Sequence, residues 1–298
     1  MCVMHKMFRL LLGVLLCAAF FAERGSAQAA SASGRELVLH VKPEGFGGAS
    51  EPDIKAVLRS AGGEIWKHCP NTRFASQGFE IYHSATHPIT HYALSKEGCI
   101  VIGLAVEGRL WARFAFQFAH EFAHALMDHS NDPGQHWHKL EHANQWLEES
   151  LCETASLFSL RAMAKTWQTQ PPYPNWKGYA PALADYAAQR MNEPQHRLPA
   201  GQTFAAWFAA EEPGLRRQWA QREKNTLIAQ QLLPLFEAEP AGWEALTALK
   251  LGTRDVNKTL AKHLAEWHAN APAAQRAFIT KFAAIFGVNL PPLPRANP

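Results

Sequence analysis

The segment Trp111–Asp128 constrains this chain more than any other. Trp111, Phe114, Phe116, Phe118, Phe122, Ala123, Ala125 and Leu126 are apolar, and the ionisable or amide residues are Arg113, Gln117, His120, Glu121, His124 and Asp128. Their successive spacings of 4, 3, 1, 3 and 4 place all six on one stripe of a helix. A helix that is apolar on its other sides belongs in a core. Burying unpaired ionisable groups is costly, so the stripe needs partners from other elements. The bland alternative is a stripe that faces water.

The rest of the chain is compatible with such a core. It has 298 residues, 47% of them hydrophobic, which suits one large domain or two modest ones and excludes wholesale disorder. A formal net charge of +3 argues against a dedicated nucleic-acid surface. Of the 15 His, six fall between His120 and His142, which draws attention to metal chemistry.

Residues 1–29 read as a signal peptide. Lys6 and Arg9 form a short basic region, Leu10 to Ala22 carry no charge, and Ala27-Gln28-Ala29 suits cleavage near Ala29. Thirteen helical residues span about 20 Å, short of the roughly 30 Å hydrocarbon core, so no stable membrane span is expected after removal. The expected location is secreted or periplasmic. Removal takes Lys6, Arg9, Arg24 and Glu23 and lowers the charge balance from +3 to +1. It leaves Cys69, Cys99 and Cys152. In an oxidising compartment Cys69–Cys99 is the expected disulfide, with Cys152 a small buried hydrophobe.

Periodicity gives strands at Glu36–Val41, Phe79–His83, Tyr92–Leu94 and Cys99–Val106, and a helix at Glu51–Trp66. After Leu110 the period is mostly helical, with clear pieces at Thr203–Glu211, Leu215–Leu233, Thr253–His268 and Ala273–Phe286, punctuated by Pro213, Pro234, Pro240 and Pro272. The expected architecture is α+β. A small mixed α/β subdomain occupies 30–160, and a mainly helical subdomain with a Pro-rich tail occupies 161–298. The ten Trp read as core packing, and the run Arg216, Arg217, Arg222, Glu223 and Lys224 as a solvated helix face.

Residues 120–124 read His-Glu-Phe-Ala-His. On a helix the two imidazoles are one turn apart and can reach one ion, and Glu121 is close enough to act on a water beside it. A catalytic zinc usually takes three protein ligands and keeps a position open. A third His in the HExxHxxGxxH form is excluded by Met127 and Ser130. Downstream, Glu149, Glu153 and Ser156 share a helical face. Glu149 can complete a His₂Glu set while Glu153, one turn later, accepts the free ring N–H of a ligand His. Glu148 is the rival ligand, but the residue one turn after it is Cys152, which cannot take the supporting role. His129, His136, His138 and His142 read as solvated loop residues.

His120–His124 followed by Trp146-Leu147-Glu148-Glu149-Ser150-Leu151-Cys152-Glu153 resembles the gluzincin zinc metallopeptidases, whose second helix has the form W-x-x-E-G-x-A-E. Ser150 stands where Gly is frequent and Cys152 where Ala is frequent. The resemblance spans roughly Cys99 to Ser156. It implies a zincin-like catalytic subdomain holding one Zn²⁺ through His120, His124 and Glu149, with Glu153 supporting a histidine. It also implies that Glu121 takes a proton from the attacking water and delivers it to the leaving amine of a peptide or protein substrate. The strand Cys99–Val106 would be the sheet edge beside the cleft. Tyr173, Tyr179, Tyr186 and His196 are candidates for an oxyanion donor, with Tyr179 singled out because it follows Trp176-Lys177-Gly178. The aminopeptidase G-x-M-E-N signature is absent. The alternative is a catalytically inactive binding protein of the same fold that retains zinc; a further one is a helical structural protein with a chance motif.

Overall fold

The computed structural model describes residues 36–130 and 142–290. The signal-peptide reading at 1–29, along with His136, His138 and the Pro-rich tail, lies outside the described residues.

The chain is mixed α/β and mostly helical. β1 (Leu39–Val41) leads into α1 (Glu51–Trp66), then β2 (Phe79–His83), β3 (Ile89–Thr90), β4 (Ile100–Leu104) and α2 (Trp111–Asp128). α1 starts where the Ser50 side chain accepts from Asp53 N at 3.3 Å, with Pro52 and two acidic residues in the first turn. The four strands form one sheet in the order β1-β2-β4-β3. β1, β2 and β4 are mutually parallel and β3 is antiparallel to β4, with Ile89 opposite Gly103. Gly103 matters at this register, because a Cβ there would fall 2.8 Å from the Tyr82 ring.

This corrects two expectations. Tyr92–Leu94 is not a strand; the pairing residues are Ile89–Thr90, and Tyr92 and Leu94 are exposed. The Cys99–Val106 run is not the sheet edge. Its β4 core is flanked on both sides, as its unbroken apolar run befits, and the edge is β3.

α3 (Gln145–Thr166) packs along α2 and is buried on nearly all sides. The remaining helices are α4 (Ala180–Asn192), α5 (Phe204–Arg217), α6 (Arg222–Ala238), α7 (Leu260–Asn270) and α8 (Ala273–Ile285), with a 3-10 segment at Pro240–Ala248. Pro213 and Pro234 lie inside α5 and α6 rather than between helices. An interior proline costs about 3 kcal/mol, and the packing of buried Leu232, Leu233 and Phe236 around Pro234 outweighs it. α7 starts later than periodicity suggests, because Thr259 caps it by accepting from Lys262 N.

The boundary expected at residue 160 falls within α3. One apolar core runs from Leu37 to Phe286, and Leu37 onward forms one compact unit. α3 lies against α1 and α2 on one side and α4 and α6 on the other. Glu244, in the 3-10 segment, accepts from Asn71 N, Asn71 Nδ2 and Thr72 Oγ1 across the chain. Trp146, Trp167, Trp243 and Trp267 are fully buried, in keeping with a packing role. Cys69 and Cys99 are both buried and no disulfide joins them. Their places explain this: Cys69 closes the end of α1, where its thiol donates to Ile65 O, and Cys99 opens β4. No helix among the described residues is long and apolar enough to cross a membrane.

Candidate metal centre

Each member of the polar stripe on α2 has a distinct surrounding. Arg113 is exposed. The Gln117 amide donates to Ala105 O at 3.1 Å and accepts from Ala105 N at 2.9 Å, fastening the helix to the end of β4. Asp128 accepts from Lys250 at 2.6 Å. The three residues between them, His120, Glu121 and His124, line a cleft of about 540 Å³. β3 forms one wall, and α4 and the start of α6 form the other.

The two imidazoles converge on one carboxylate of α3. His120 Nε2 is 3.4 Å from Glu149 Oε2, and His124 Nε2 is 3.5 Å from Glu149 Oε1. The far nitrogen of His120, Nδ1, lies 4.0 Å from Glu153 Oε1. The other Glu153 oxygen is buried and has no hydrogen-bond partner among the described residues. Burial by itself would drive the His120 pKa down. The hydrogen bond to Glu149 and the charges of Glu121, Glu149 and Glu153 outweigh it and lift the group to about 9. Burial would raise the Glu149 carboxyl, but His120 and His124 hold it below the usual carboxylate range.

Glu148 borders the same cleft but is engaged by other residues. It is buried, ion-paired with Lys250 at 2.7 Å and hydrogen-bonded to His142 Nε2 at 2.7 Å. Burial opposes its ionisation, and the Lys250 charge and His142 together override that and hold the carboxyl far below its ordinary range. The rival to Glu149 is thus committed to a buried ion network. His142 belongs to that network, and His129 is buried with Nε2 2.9 Å from His91 O, so neither is a solvated loop residue.

A second donor sits close by. One ring nitrogen each of His120 and His124 and the Cys152 sulfur lie within 4.8 Å of one another, and this group could hold a metal ion. Burial first, then the carboxylates of Glu149, Glu121 and Glu148, push the Cys152 thiol well above its ordinary pKa. A metal ligand must be the thiolate. The Glu149 carboxylate, held below its usual pKa range, lies against both imidazoles beside this group.

Sequence reasoning missed Thr90. Its hydroxyl lies 2.9 Å from both Oε2 and the backbone oxygen of Glu121, and it sets the direction of that carboxylate from the sheet edge. Nothing in an isolated Thr could have announced this. Tyr179 is not brought to the cleft. Its hydroxyl accepts from Ala112 N at 3.3 Å, at the opposite end of α2 from the imidazoles. Tyr173 and His196 do not line the cleft either, whereas Tyr186 does, and so does Tyr92. Arg222, read as part of a solvated face, also lines it.

Comparison with protein-family models, with curated proteins and with solved structures finds no match for this chain.

Proposed function

We propose that the chain is a secreted or periplasmic zinc metallopeptidase of gluzincin type, a hydrolase of peptide bonds. The observation that carries this reading is the Glu149 carboxylate set against both His Nε2 atoms, at 3.4 and 3.5 Å. Two imidazoles and a carboxylate are a donor set that suits zinc. The buried Glu153 carboxylate, whose Oε1 lies 4.0 Å from His120 Nδ1, suits the outer support that such a histidine needs. The residues present therefore fit the metal, with His120, His124 and Glu149 holding it. When bound, zinc supplies Lewis-acid polarisation of the scissile carbonyl and makes water more acidic.

The protein's own groups account for the rest. Glu121, aimed by Thr90, accepts a proton from the attacking water and returns it to the departing amine. Glu153 keeps His120 in the tautomer whose Nε2 faces Glu149. The outer edge of β3, which borders the cleft, offers backbone groups to an extended peptide. Tyr186 is the cleft-lining phenol among the four oxyanion candidates, and it takes the place intended for Tyr179. α2 lying between the sheet and α3, with an antiparallel edge strand over the histidines, supports the zincin-like reading of the N-terminal half.

The test is a peptide-library cleavage assay of the protein, wild type beside Glu121→Gln, with zinc measured on both. Equal zinc near one per chain with cleavage by wild type alone is expected. Stoichiometric zinc with no cleavage by either protein would favour an inactive zinc-retaining binding protein instead. Absence of zinc from both would remove the site assignment.

A further inference from the structure

The cleft is electrically divided. Its metal end carries Glu121, Glu149 and Glu153 beside the Lys250-paired Asp128 and Glu148, whereas the wall made by α4 and the start of α6 contributes Arg190 and Arg222 and no acidic lining residue. Arg222 is exposed, and no ion pair or hydrogen bond engages its guanidinium among the described residues. It is the first residue of a 17-residue helix whose N-cap, Gln221, makes no side-chain capping bond; Glu223, in the same turn, does not line the cleft. Arg190 reaches Glu193 through one terminal nitrogen at 3.0 Å, but its Nε is buried and makes no hydrogen bond among the described residues.

One more observation points to a ligand. Asn225 is 2% exposed and lines the cleft. Its Nδ2 donates to Trp219 O at 2.9 Å, which fixes the amide orientation and leaves Oδ1 buried without a donor among the described residues. A buried acceptor left empty costs about 1–3 kcal/mol, so a partner is expected. Trp219 and Ala220 also line this wall, and Phe116 beside it is covered. The Phe116 face is covered by the Arg190 guanidinium 5.5 Å from the ring centroid, and its edge by Tyr186.

We propose that this wall is a specificity surface for carboxylate-bearing peptides. Arg222 and Arg190 take the carboxylate, from an acidic side chain or a chain terminus, and Asn225 Oδ1 accepts a substrate N–H. The inference rests on the peptidase reading and names the substrate class of that site.

The experiment uses three matched peptides. One is acetylated and amidated with a single Glu, the second is identical with Gln, and the third carries Gln with a free C-terminal carboxylate. Each is measured for kcat and KM with the zinc-loaded wild type and with Arg222→Gln, Arg190→Gln and the double variant. Binding of the same peptides to zinc-loaded Glu121→Gln is followed by fluorescence anisotropy. The expected result is a preference of at least tenfold in kcat/KM for one of the two carboxylate peptides, carried by KM and weakened by salt. That ratio should fall towards one in the double variant. Preference for the Glu peptide identifies a side-chain site, and preference for the free terminus an end-of-chain site. Equal handling of all three peptides, or a preference that survives in the double variant, overturns the proposal. Carboxylate-selective binding to Glu121→Gln with no cleavage by wild type sinks the peptidase reading and keeps this surface. Neither binding nor cleavage sinks both.

Discussion

Lys250 Nζ lies 2.6 Å from Asp128 Oδ1, so a residue far along the helical half is ion-paired to the end of the helix that carries both histidines. The same ammonium is 2.7 Å from Glu148, the neighbour of Glu149. Burial opposes its charge, but Glu148 and Asp128 more than compensate and keep it protonated. Lys250 thereby ties the C-terminal end of α2 to the start of α3. Lys250→Met should leave Asp128 without this partner and Glu148 with His142 alone, and destabilise the protein by about 3–5 kcal/mol. Urea denaturation at neutral pH measures this, and a loss below about 1 kcal/mol would show that the triad does not hold the helices together.

Glu149 and Glu148 are adjacent yet serve different ends. Glu149→Ala should abolish stoichiometric zinc binding. Glu148→Gln, which keeps the side chain's shape, should retain zinc while lowering thermal stability. Metal content after exhaustive dialysis, set beside a melting curve, separates the two. Zinc lost from the Glu148 variant and kept by the Glu149 variant would reverse the assignment. Glu153→Gln should weaken zinc binding by about 10–100-fold without abolishing it.

Thr90 offers a test of Glu121 that leaves the metal ligands alone. Thr90→Val preserves shape and removes the hydroxyl 2.9 Å from Glu121 Oε2. Loss of a hydrogen bond to a charged group is worth roughly 10-fold or more, so kcat should drop by about that factor with zinc content unchanged. An unaltered kcat would mean that the Glu121 carboxylate finds its position without the strand.

His263 carries a pH dependence of stability. Burial, followed by the nearby His142 and Lys258, lowers its pKa to about 3, and its ring centroid is 5.8 Å from that of His142. In the unfolded chain a histidine titrates near 6.5, so between about 6.5 and 3 the unfolded state holds the extra proton. Stability should therefore be full above about pH 6.5 and fall as the pH drops through that window, by up to about 1.4 kcal/mol per pH unit from this group. His263→Gln should flatten the slope between pH 6.5 and 4.5 in urea denaturation series. An identical slope in wild type and variant would assign the dependence to other groups.

The candidate metal centre was legible because it is local. His120, Glu121 and His124 sit on one helix with an unmistakable period, and Glu149 and Glu153 are one turn apart on the next. Helix α1 was equally readable, from Glu51 to Trp66. What could not be read was non-local. Lys250 meets Asp128 across 122 positions, and Thr90 meets Glu121 across 31, through a two-residue strand too short to show alternation. Tyr179 was placed by a faint local likeness, and the fold sends it to the far end of α2 while Tyr186, two turns further on, faces the cleft. Cys69 and Cys99 illustrate the same limit, since sequence separation says nothing of whether two thiols meet. The helical half looked like a second unit because its period changes, yet a shared core makes it the second wall of the cleft.

The identity of the metal's ligands is the point on which the functional reading turns, and zinc K-edge X-ray absorption of the zinc-loaded protein measures it directly. Coordination by His120, His124 and Glu149 predicts a shell of nitrogen and oxygen at about 2.0–2.1 Å, with imidazole scattering and no sulfur. A sulfur contribution at about 2.3 Å, lost in Cys152→Ala, would contradict it by placing Cys152 in the set instead.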